Sequence, residues 1–576
     1  MGQQLLFCIY ILFGLVACHQ LQKDEEFTVR IRIREDFDCL HPIVSQSSLA
    51  TQIEALLMLP MIEYSAENLE LSPLMVKSAP EIRATTDTSH IFGVEILDDA
   101  NWDDGKTITA ADYDFTVKAA LNPYIKNPTW RGFLKNIFHI QYDSSKPKLL
   151  QVHVSKDYML GKEVSGNVNL YPEHVYDPER IMRTFSLEAL VRKDSANWTP
   201  EEHSLLKRFA EQFESASFCK MGIQGAGPYR LKSWDAGSRI VLERKKNWWG
   251  SKYAATNKML EAQPAFIEYV IMPDEAAAIL AVKEGSVDLV TEVSPKQFAD
   301  LRKDSTQNSM LRFYSPGHFQ YALIELNLRN QILQDVQVRK ALAKLTNVSS
   351  FINDLMMGLA DPIYGPIHPI KPYYNKNLKE VGYDPEAAKE LLKQAGWEDT
   401  DKDGLLDKLI DGKKQILRLR FLASGAISKN ISLLLQEEAR KLGMEILPET
   451  KEASVIRKDL NERNFDLVFV TITPQATTLY DPFQSYHSSN AKPGGGNRCG
   501  IQSGKLDSLI LGIRSVTDEQ ERFKRYQEFQ QTLFDLQPQI FLFSPHERLL
   551  ANKRIMMETI KRRPGYLENT FRLNSK

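Results

Sequence analysis

Strand-like and helix-like patterns alternate along this whole chain, and that alternation restricts its fold more than any other feature. Residues 27–34 alternate apolar and polar side chains, as a half-buried strand does. Residues 109–121 and 384–395 repeat apolar side chains at helical spacing and begin with capping residues. The mostly apolar run 465–470 predicts a central strand, and 539–543 predicts another. We find no internal repeat, and the pattern predicts an α/β fold throughout.

The length and charge of the chain limit the classes of protein to consider. Its 576 residues are too many for one hydrophobic core, so we expect two to four domains. The apolar share of 43% and the charged share of 25% are typical of globular proteins and argue against long disorder. The net charge is -2, and the basic runs 244–246 and 561–563 are short. The charge balance therefore gives no reason to expect nucleic acid as a partner.

An apolar run at the N-terminus is separate from the globular part. Residues 5–17 have the length of a signal-peptide core and are too few to span a bilayer comfortably. The run ends in Leu15-Val16-Ala17-Cys18, which resembles a bacterial lipobox. We predict a signal peptide with lipobox over 1–18, lipidation of Cys18 and a polar tether over 19–26. The first residues contain no Lys or Arg, so a secretory signal with an incidental cysteine is the alternative.

Lipidation implies an extracytoplasmic protein that is anchored to a bacterial membrane, on the periplasmic side or at the cell surface. Cys39, Cys219 and Cys499 remain in the rest of the chain. Three cysteines in so long a chain do not form a disulfide framework. One bridge is possible, and the sequence leaves its pairing open.

Six segments, in order along the chain, are similar to the motifs of one protein family. Each motif alone is moderate evidence, and all six between residues 102 and 542 are strong evidence. The segments contain Trp102-Asp103-Asp104-Gly105 before Thr109-Ala110-Ala111-Asp112, Gly225-Ala226-Gly227-Pro228-Tyr229, Gly285-Ser286-Val287-Asp288, Val338-Arg339-Lys340-Ala341-Leu342, Tyr383-Asp384-Pro385-Glu386 with Gly396-Trp397, and Tyr526-Gln527-Glu528-Phe529 with Pro538-Gln539-Ile540.

These motifs make the chain resemble the family 5 extracellular solute-binding proteins, whose members include oligopeptide and dipeptide receptors of ABC importers. The resemblance implies a two-lobed periplasmic-binding-protein fold of class II type, with mixed sheets flanked by helices, a hinge and an additional subdomain. It also implies a monomer that encloses its ligand between the lobes and delivers it to permease subunits in the membrane. The implied division is lobe I from 27–66, 214–317 and 537–576, the subdomain from 67–213 with a helical insertion near 179–213, and lobe II from 318–536.

The resemblance also points to a ligand-binding loop after the strand 465–470. In peptide-binding relatives this loop supplies a carboxylate to the α-ammonium of the ligand, and spacing from Pro482 places the uncharged Thr478 at that position. Either Asp481 has taken over this role, or the ligand is not a peptide with a free amine. Asp481 could equally be a helix cap. We expect ligand contacts from Thr478, Tyr480, Asp481, His487 and Asn327.

Other ligands and other classes of function stay open at this stage. The family includes nickel, haem and sugar receptors, and a surface interaction lipoprotein is a further alternative. No catalytic arrangement is visible, because His546-Glu547-Arg548-Leu549-Leu550 lacks the second histidine of a zinc helix. The run 495–500 has the spacing of a P-loop but is followed by Ile501 instead of Lys. We therefore expect no enzyme activity, no cofactor and no metal in the ligand site.

One acidic segment resembles a cation-binding loop. Asp399-x-Asp401-x-Asp403-Gly404 is similar to the start of a calcium loop, but Ile410 stands at its twelfth position, where a glutamate is needed. We prefer a turn with Asx side chains that joins a helix to a strand.

The lipobox leads to a direct test. We expect the wild-type chain, made in a bacterial host, to partition into the detergent phase and the Cys18→Ala variant to stay in the aqueous phase. The reason is that each buried acyl CH₂ contributes about 0.8 kcal/mol to membrane binding. Detergent partitioning of the variant would contradict lipidation of Cys18.

Overall fold

The computed structural model describes residues 26–574, apart from 38, 46, 67, 68, 193–196, 307, 308, 475–478 and 517. Cys18, the signal peptide and most of the tether lie outside these residues. The described chain forms two large mixed β-sheets with helices packed on them, and a smaller antiparallel sheet. The α/β class and the two-lobed fold are thereby confirmed.

The first sheet has a parallel centre in which Thr28–Ile33 pairs with Phe266–Ile271 and Leu289–Val290. The alternation of residues 27–34 predicts a half-buried strand, yet Arg32 is also buried. Its guanidinium donates to the carbonyls of residues 272, 291 and 273, at 2.8, 3.0 and 3.2 Å, and so joins the ends of the three strands. The spatial order is Leu311–Tyr314, Leu549–Asn552, Leu289–Val290, Thr28–Ile33, Phe266–Ile271, Arg239–Arg244 and Tyr229–Asp235.

The second sheet confirms the central strand that the apolar run 465–470 predicts. The observed strand is Leu467–Ile472, and it pairs antiparallel with Tyr321–Leu326 and parallel with Arg418–Ala423. Strands on both sides explain why its side chains are mostly apolar. The spatial order is Ala360–Pro362, Gln539–Pro545, Tyr321–Leu326, Leu467–Ile472, Arg418–Ala423 and Glu445–Thr450.

Within the described residues, the chain passes between the two large sheets twice, through residues 315–320 and 546–548. We call these the crossover segments. The expected start of the last lobe I segment at 537 is wrong, because Gln539–Pro545 pairs with strands of the second sheet. The chain returns to the first sheet only at Leu549. The other lobe boundaries stay predictions.

The small sheet lies in the region expected to form the additional subdomain. It orders Glu81–Thr85, Ser89–Glu95, Leu149–Ser155 and Ile137–Tyr142 in space. In the range 179–213, where we expect a helical insertion, the described residues include the helix Pro200–Phe213, which buries Phe209 and Phe213. These rings pack edge-on to Phe115, at 6.0 and 6.4 Å between centroids. This helix therefore packs on the helix Ala110–Leu121.

Helices cover the faces of the sheets, and two predicted caps are present. Asp384 accepts the Ala387 N–H at 2.9 Å, and Asp112 accepts the Thr109 N–H at 2.8 Å. Among the described residues, no helix combines the length and apolarity needed to cross a membrane. The helices of six or more residues are Ser48–Leu57, Ala110–Leu121, Pro128–Leu134, Leu187–Arg192, Pro200–Phe213, Glu275–Glu284, Pro295–Lys303, Val336–Leu345, Pro385–Gln394, Ala426–Arg440, Ala453–Glu462, Gly504–Ser515 and Glu519–Leu536.

A disulfide joins Cys39 and Cys219, which settles the pairing that the sequence leaves open. Cys499 is a free, buried thiol. The bridge ties the loop after the first strand to the turn at Ser217–Met221. The Leu40 N–H also donates to the Cys219 carbonyl at 2.9 Å. The loop is therefore held at the end of the first sheet by a covalent bond and a hydrogen bond.

Two titratable side chains are buried beneath this loop. His41 is almost fully buried, and its Nδ1 lies 2.9 Å from the Tyr171 hydroxyl. Burial lowers the pKa of His41 to about 3, so its ring is neutral at pH 7. Glu54 is also buried, and its Oε1 has no hydrogen-bond partner. Burial raises the pKa of Glu54 to about 8. Glu54 is therefore mostly protonated at neutral pH.

This burial predicts a pH-dependent cost to stability. The pKa of Glu54 is higher in the folded chain than in the unfolded one, so its contribution to stability is complete below pH 4.5 and lost as pH rises to about 8. At about 1.4 kcal/mol per pH unit, the full loss is up to about 5 kcal/mol. The Glu54→Gln variant should lack this decline when urea unfolding is compared at pH 5, 6.5 and 8. Glu437→Gln, at an exposed helix position, is the control. If the free energy of unfolding changes with pH in the same way in Glu54→Gln and in wild type, the prediction is contradicted.

Candidate functional site

The two crossover segments lie side by side between the lobes. Gly317 and His546 form an antiparallel bridge, and the Glu547 N–H donates to the Pro316 carbonyl at 3.0 Å. The Ser544 hydroxyl donates to the carbonyl of His318 at 2.7 Å. These bonds hold the crossovers together as one ribbon, so the lobes can turn relative to each other only by bending it.

The carboxylate of Glu547 connects this ribbon to the C-terminal segment. His318 Nδ1 accepts the Gln320 N–H at 3.0 Å, so the ring proton of the neutral imidazole belongs on Nε2. Nε2 lies 3.3 Å from Glu547 Oε1, and Arg563 Nε donates to the same oxygen at 2.9 Å. Burial lowers the pKa of His318 to about 3 and raises the pKa of Glu547, against the opposing charge of Arg563. Glu547 therefore joins both crossovers to the first lobe.

Further bonds attach the crossover residues next to the first lobe to the first sheet. Arg563 also pairs with Glu292 at 3.2 Å, directly after the strand Leu289–Val290. Arg548 donates to the carbonyls of Val293 and, at 2.6 Å, His546. Glu292 has a φ of 56°, in the left-handed region that non-glycine residues rarely occupy. The crossovers are therefore anchored firmly on the side of the first lobe.

The edges of the two large sheets that meet at the crossovers define a cleft. In the first sheet, parallel strands end here at Ile33, Ile271 and Val290. In the second sheet, the parallel strands Arg418–Ala423 and Leu467–Ile472 end on the crossover side, next to residue 321. Carboxyl ends of parallel strands are the usual location of ligands in open α/β sheets. We therefore place the candidate site between these two edges.

The lobes also meet outside the crossovers, through residues 158–163 of the subdomain. Met159 packs against an apolar cluster of the second lobe that contains Tyr373. Burial raises the pKa of Tyr158, as do the charges of Asp481 and Glu163. Burial lowers the pKa of Lys371, and Glu163 opposes that shift across the cleft. The described conformation is thus one in which the lobes touch.

The crossover residue Phe319 lies at the base of the cleft beside a histidine and a lysine. Its ring contacts His368 edge-on, at 5.1 Å between centroids, and Lys371 Nζ lies 5.8 Å from its centroid. Burial lowers the pKa of His368 to about 4, so its ring is neutral at pH 7. Neither residue belongs to a motif that the sequence analysis identified, because their position depends on the crossover geometry.

Asp481 has two structural partners in the ligand-binding loop. Its Oδ1 accepts the Phe483 N–H at 3.1 Å, at the start of the short helix Phe483–Tyr486. Its Oδ2 lies 3.3 Å from Arg514 Nε, and the Arg514 guanidinium lies 4.5 Å from the Phe483 ring centroid. Burial raises the pKa of Asp481, and Arg514 opposes that shift. The charge of this carboxylate is therefore already paired.

Two other expected ligand contacts lie in the same segment as Asp481. The Tyr480 carbonyl accepts a hydrogen bond from the Tyr526 hydroxyl. His487 stacks on Phe483 at 4.5 Å between ring centroids, and its Nδ1 accepts the Ser489 N–H at 3.2 Å. The structure thus brings Tyr480, Asp481 and His487 together around one short helix. Thr478 lies outside the described residues.

Asn327 lies apart from this group. The strand Tyr321–Leu326 starts next to a crossover, so Asn327 follows its far end. The Asn327 amide donates to the carbonyls of Phe465 and Arg463 at 2.8 and 3.1 Å. Its oxygen accepts the Arg329 N–H at 3.3 Å. These bonds give Asn327 a structural role at the edge away from the cleft.

Two sequence features that resemble metal sites have other roles. Glu547 and its neighbours form the crossover and the strand Leu549–Asn552 instead of a helix. The carboxylates of Asp399, Asp401 and Asp403 lie within 4.8 Å of one another and are exposed. Asp403 accepts the Leu405 N–H at 2.8 Å, as in the expected turn with Asx side chains, and Asp399 accepts the N–H groups of Asp403 and Gly404 at 3.1 and 3.0 Å. Lys414 pairs with Asp401.

Comparison with known proteins identifies the family. The profile described as "Bacterial extracellular solute-binding proteins, family 5 Middle" matches residues 70–494, and the chain belongs to this family. The oligopeptide-binding protein AppA of Bacillus subtilis (strain 168) is 25% identical over 511 residues, covering 88% of this chain and 84% of AppA.

Solved structures share the fold over nearly the whole chain. AppA from Bacillus subtilis in complex with a nonapeptide has a TM-score of 0.74 at 20% identity, covering 95% of this chain and 99% of AppA. NikA from Brucella suis in complex with Fe(III)-EDTA also has a TM-score of 0.74, at 19% identity, covering 95% and 100%. The same fold therefore accommodates a peptide in one relative and a metal chelate in another.

The contacts of Glu547 predict that removing its carboxylate lowers the free energy of unfolding strongly. Glu547→Ala leaves His318 and Arg563 without their shared acceptor, and we expect a loss of about 2 to 4 kcal/mol in the free energy of unfolding. Glu292→Ala is the matched control, because it removes the more exposed partner of the same Arg563 and should cost less than about 1 kcal/mol. Urea unfolding measures both. Equal losses would contradict the central role of Glu547.

Proposed function

We propose that this chain is a peptide receptor of an ABC importer, which closes its two lobes around the ligand and passes it to permease subunits in the membrane. The observation that supports this most is the joining of two lobes through one hydrogen-bonded ribbon, with further contacts across the cleft. A ligand that bridges the two sheet edges favours the closed arrangement, because only that arrangement offers it both surfaces.

A peptide is the ligand class that this architecture suits best. Extended peptides bind largely through main-chain hydrogen bonds, and strand ends and loops on both lobes supply such groups without specifying a sequence. The B. subtilis relative of this chain is named for oligopeptide binding. The proposed receptor would be monomeric and, through Cys18, anchored to a bacterial membrane, on the periplasmic side or at the cell surface.

The pairing of Asp481 bears on how the ligand is held. An unpaired carboxylate in this loop could bind the α-ammonium of a peptide, but Asp481 lies 3.3 Å from Arg514 and caps a helix. We propose that Asp481 shapes the pocket around Tyr480 and His487 and that the ligand amine contributes little to binding. Of the two alternatives for Asp481, we therefore favour a ligand whose N-terminal charge the protein does not recognise.

The proposal predicts how acetylation changes affinity. A peptide selected by native mass spectrometry from a mixture of tri- to pentapeptides should bind with nearly the same affinity after N-terminal acetylation, within about threefold, or less than 1 kcal/mol. Arg514→Gln, which unpairs Asp481, should create a preference for the free amine.

Three results would contradict parts of this prediction. If acetylation of the peptide lowers its affinity for the wild-type chain thirtyfold, a carboxylate binds the ligand amine. If no peptide binds or raises the melting temperature, the peptide class is wrong. Binding of a nickel–histidine complex in place of peptides would favour a metal-chelate receptor of the same fold.

A further inference from the structure

A pair of histidines lies on the face of the small sheet opposite its buried side chains. Ile137–Tyr142 and Leu149–Ser155 run antiparallel, and His139 is directly opposite His153. Their rings are 4.9 Å apart between centroids and nearly perpendicular, at 77°. The neighbours Ile140, Val152 and Val154 face the core and are buried. The two histidines therefore project from a strand pair that is fixed by its packing.

An irregularity in the sheet contributes to this arrangement. The register shifts between Ile137 and His139, so Phe138 is an extra residue at a β-bulge. The Phe138 ring lies 6.3 Å from that of His153, beside His139. Bulges of this kind re-aim side chains and often lie near functional sites.

The pair differs from the other described histidines in its hydrogen bonding. Ten of the 11 histidines lie in the described part of the chain, and eight of these have a hydrogen-bond partner for a ring nitrogen. Neither His139 nor His153 has such a bond within the described residues, and His153 Nε2 is buried without a partner. An unpaired buried nitrogen costs free energy, which a bound ion would recover.

The ring separation fits shared coordination of one metal ion. With a metal–nitrogen distance of about 2.1 Å, each ring centroid lies roughly 3.2 Å from the ion, so two ligand rings at 90–110° are about 4.5–5.2 Å apart. The observed 4.9 Å lies in this range.

We propose that His139 and His153 bind one divalent late first-row transition-metal ion, such as Cu²⁺, Ni²⁺ or Zn²⁺, with water completing the coordination. Imidazole nitrogens prefer these ions over Mg²⁺ and Ca²⁺, and Cu²⁺ should bind most tightly. The exposed His139 leaves the ion open to solvent.

Titration of the tag-free full chain with Cu²⁺ tests the site, monitored by calorimetry and by electron paramagnetic resonance. The protein should carry His19→Ala, which removes the histidine outside the described residues. We expect one ion per chain and nitrogen splitting from two imidazoles. His139→Ala or His153→Ala should weaken binding by about tenfold or more, since even the loss of second-shell groups costs that much. The double variant should lose this binding.

His90→Ala is the matched control, because His90 lies in the adjacent strand of the same sheet and bonds to Thr85 at 2.9 Å. It should bind Cu²⁺ within about twofold of the parent protein. His139→Gln keeps a polar side chain at the exposed position and guards against a folding defect. Undiminished binding in the double variant, or no binding by the parent, would overturn the proposal.

Discussion

The carboxylate of Glu547 is the interaction on which the relative placement of the two lobes depends. It accepts from Arg563 at 2.9 Å and lies 3.3 Å from His318 on the other crossover. A buried carboxylate is stable only while such partners remain in place. Glu547 therefore fixes both crossovers to the first lobe.

Buried hydrogen bonds and ion pairs within the first sheet stabilise the lobe to which Glu547 attaches the crossovers. Asp288 is fully buried, accepts the Arg30 N–H at 2.8 Å and forms a two-bond ion pair with Arg554. Arg32 joins the ends of three strands in the same sheet. On the side of the second lobe, the His546 N–H donates to the Leu359 carbonyl at 3.0 Å, and Phe319 packs against His368. The crossovers therefore have contacts with both lobes.

The sequence predicts local features well because their causes are local. The caps at Asp112 and Asp384 lie within a few residues of the groups they satisfy, and the apolar run around Leu467–Ile472 identifies a central strand. The Asx turn at Asp403 is likewise predicted from adjacent residues. The family motifs make the whole fold predictable as well, because they mark turns and caps that occur in the same order along the chains of the family.

Features that depend on distant partners could not be predicted in the same way. The Cys39–Cys219 bridge, the burial of Arg32 and the pairing of Asp481 with Arg514 all join segments far apart in sequence. Glu547 looks like part of an incomplete zinc helix until the fold places His318 beside it. The site residues were harder to predict than the fold because a cleft is formed by the meeting of two lobes.

A distance measurement across the cleft tests lobe closure most directly. Spin labels at Leu280→Cys in the first lobe and Leu433→Cys in the second occupy exposed helix positions, so they should not disturb packing. Adding a peptide that binds to the chain should shorten the distance between the two labels and narrow the distribution of that distance. A distribution that stays unchanged at saturating peptide would contradict capture by closure of the two lobes.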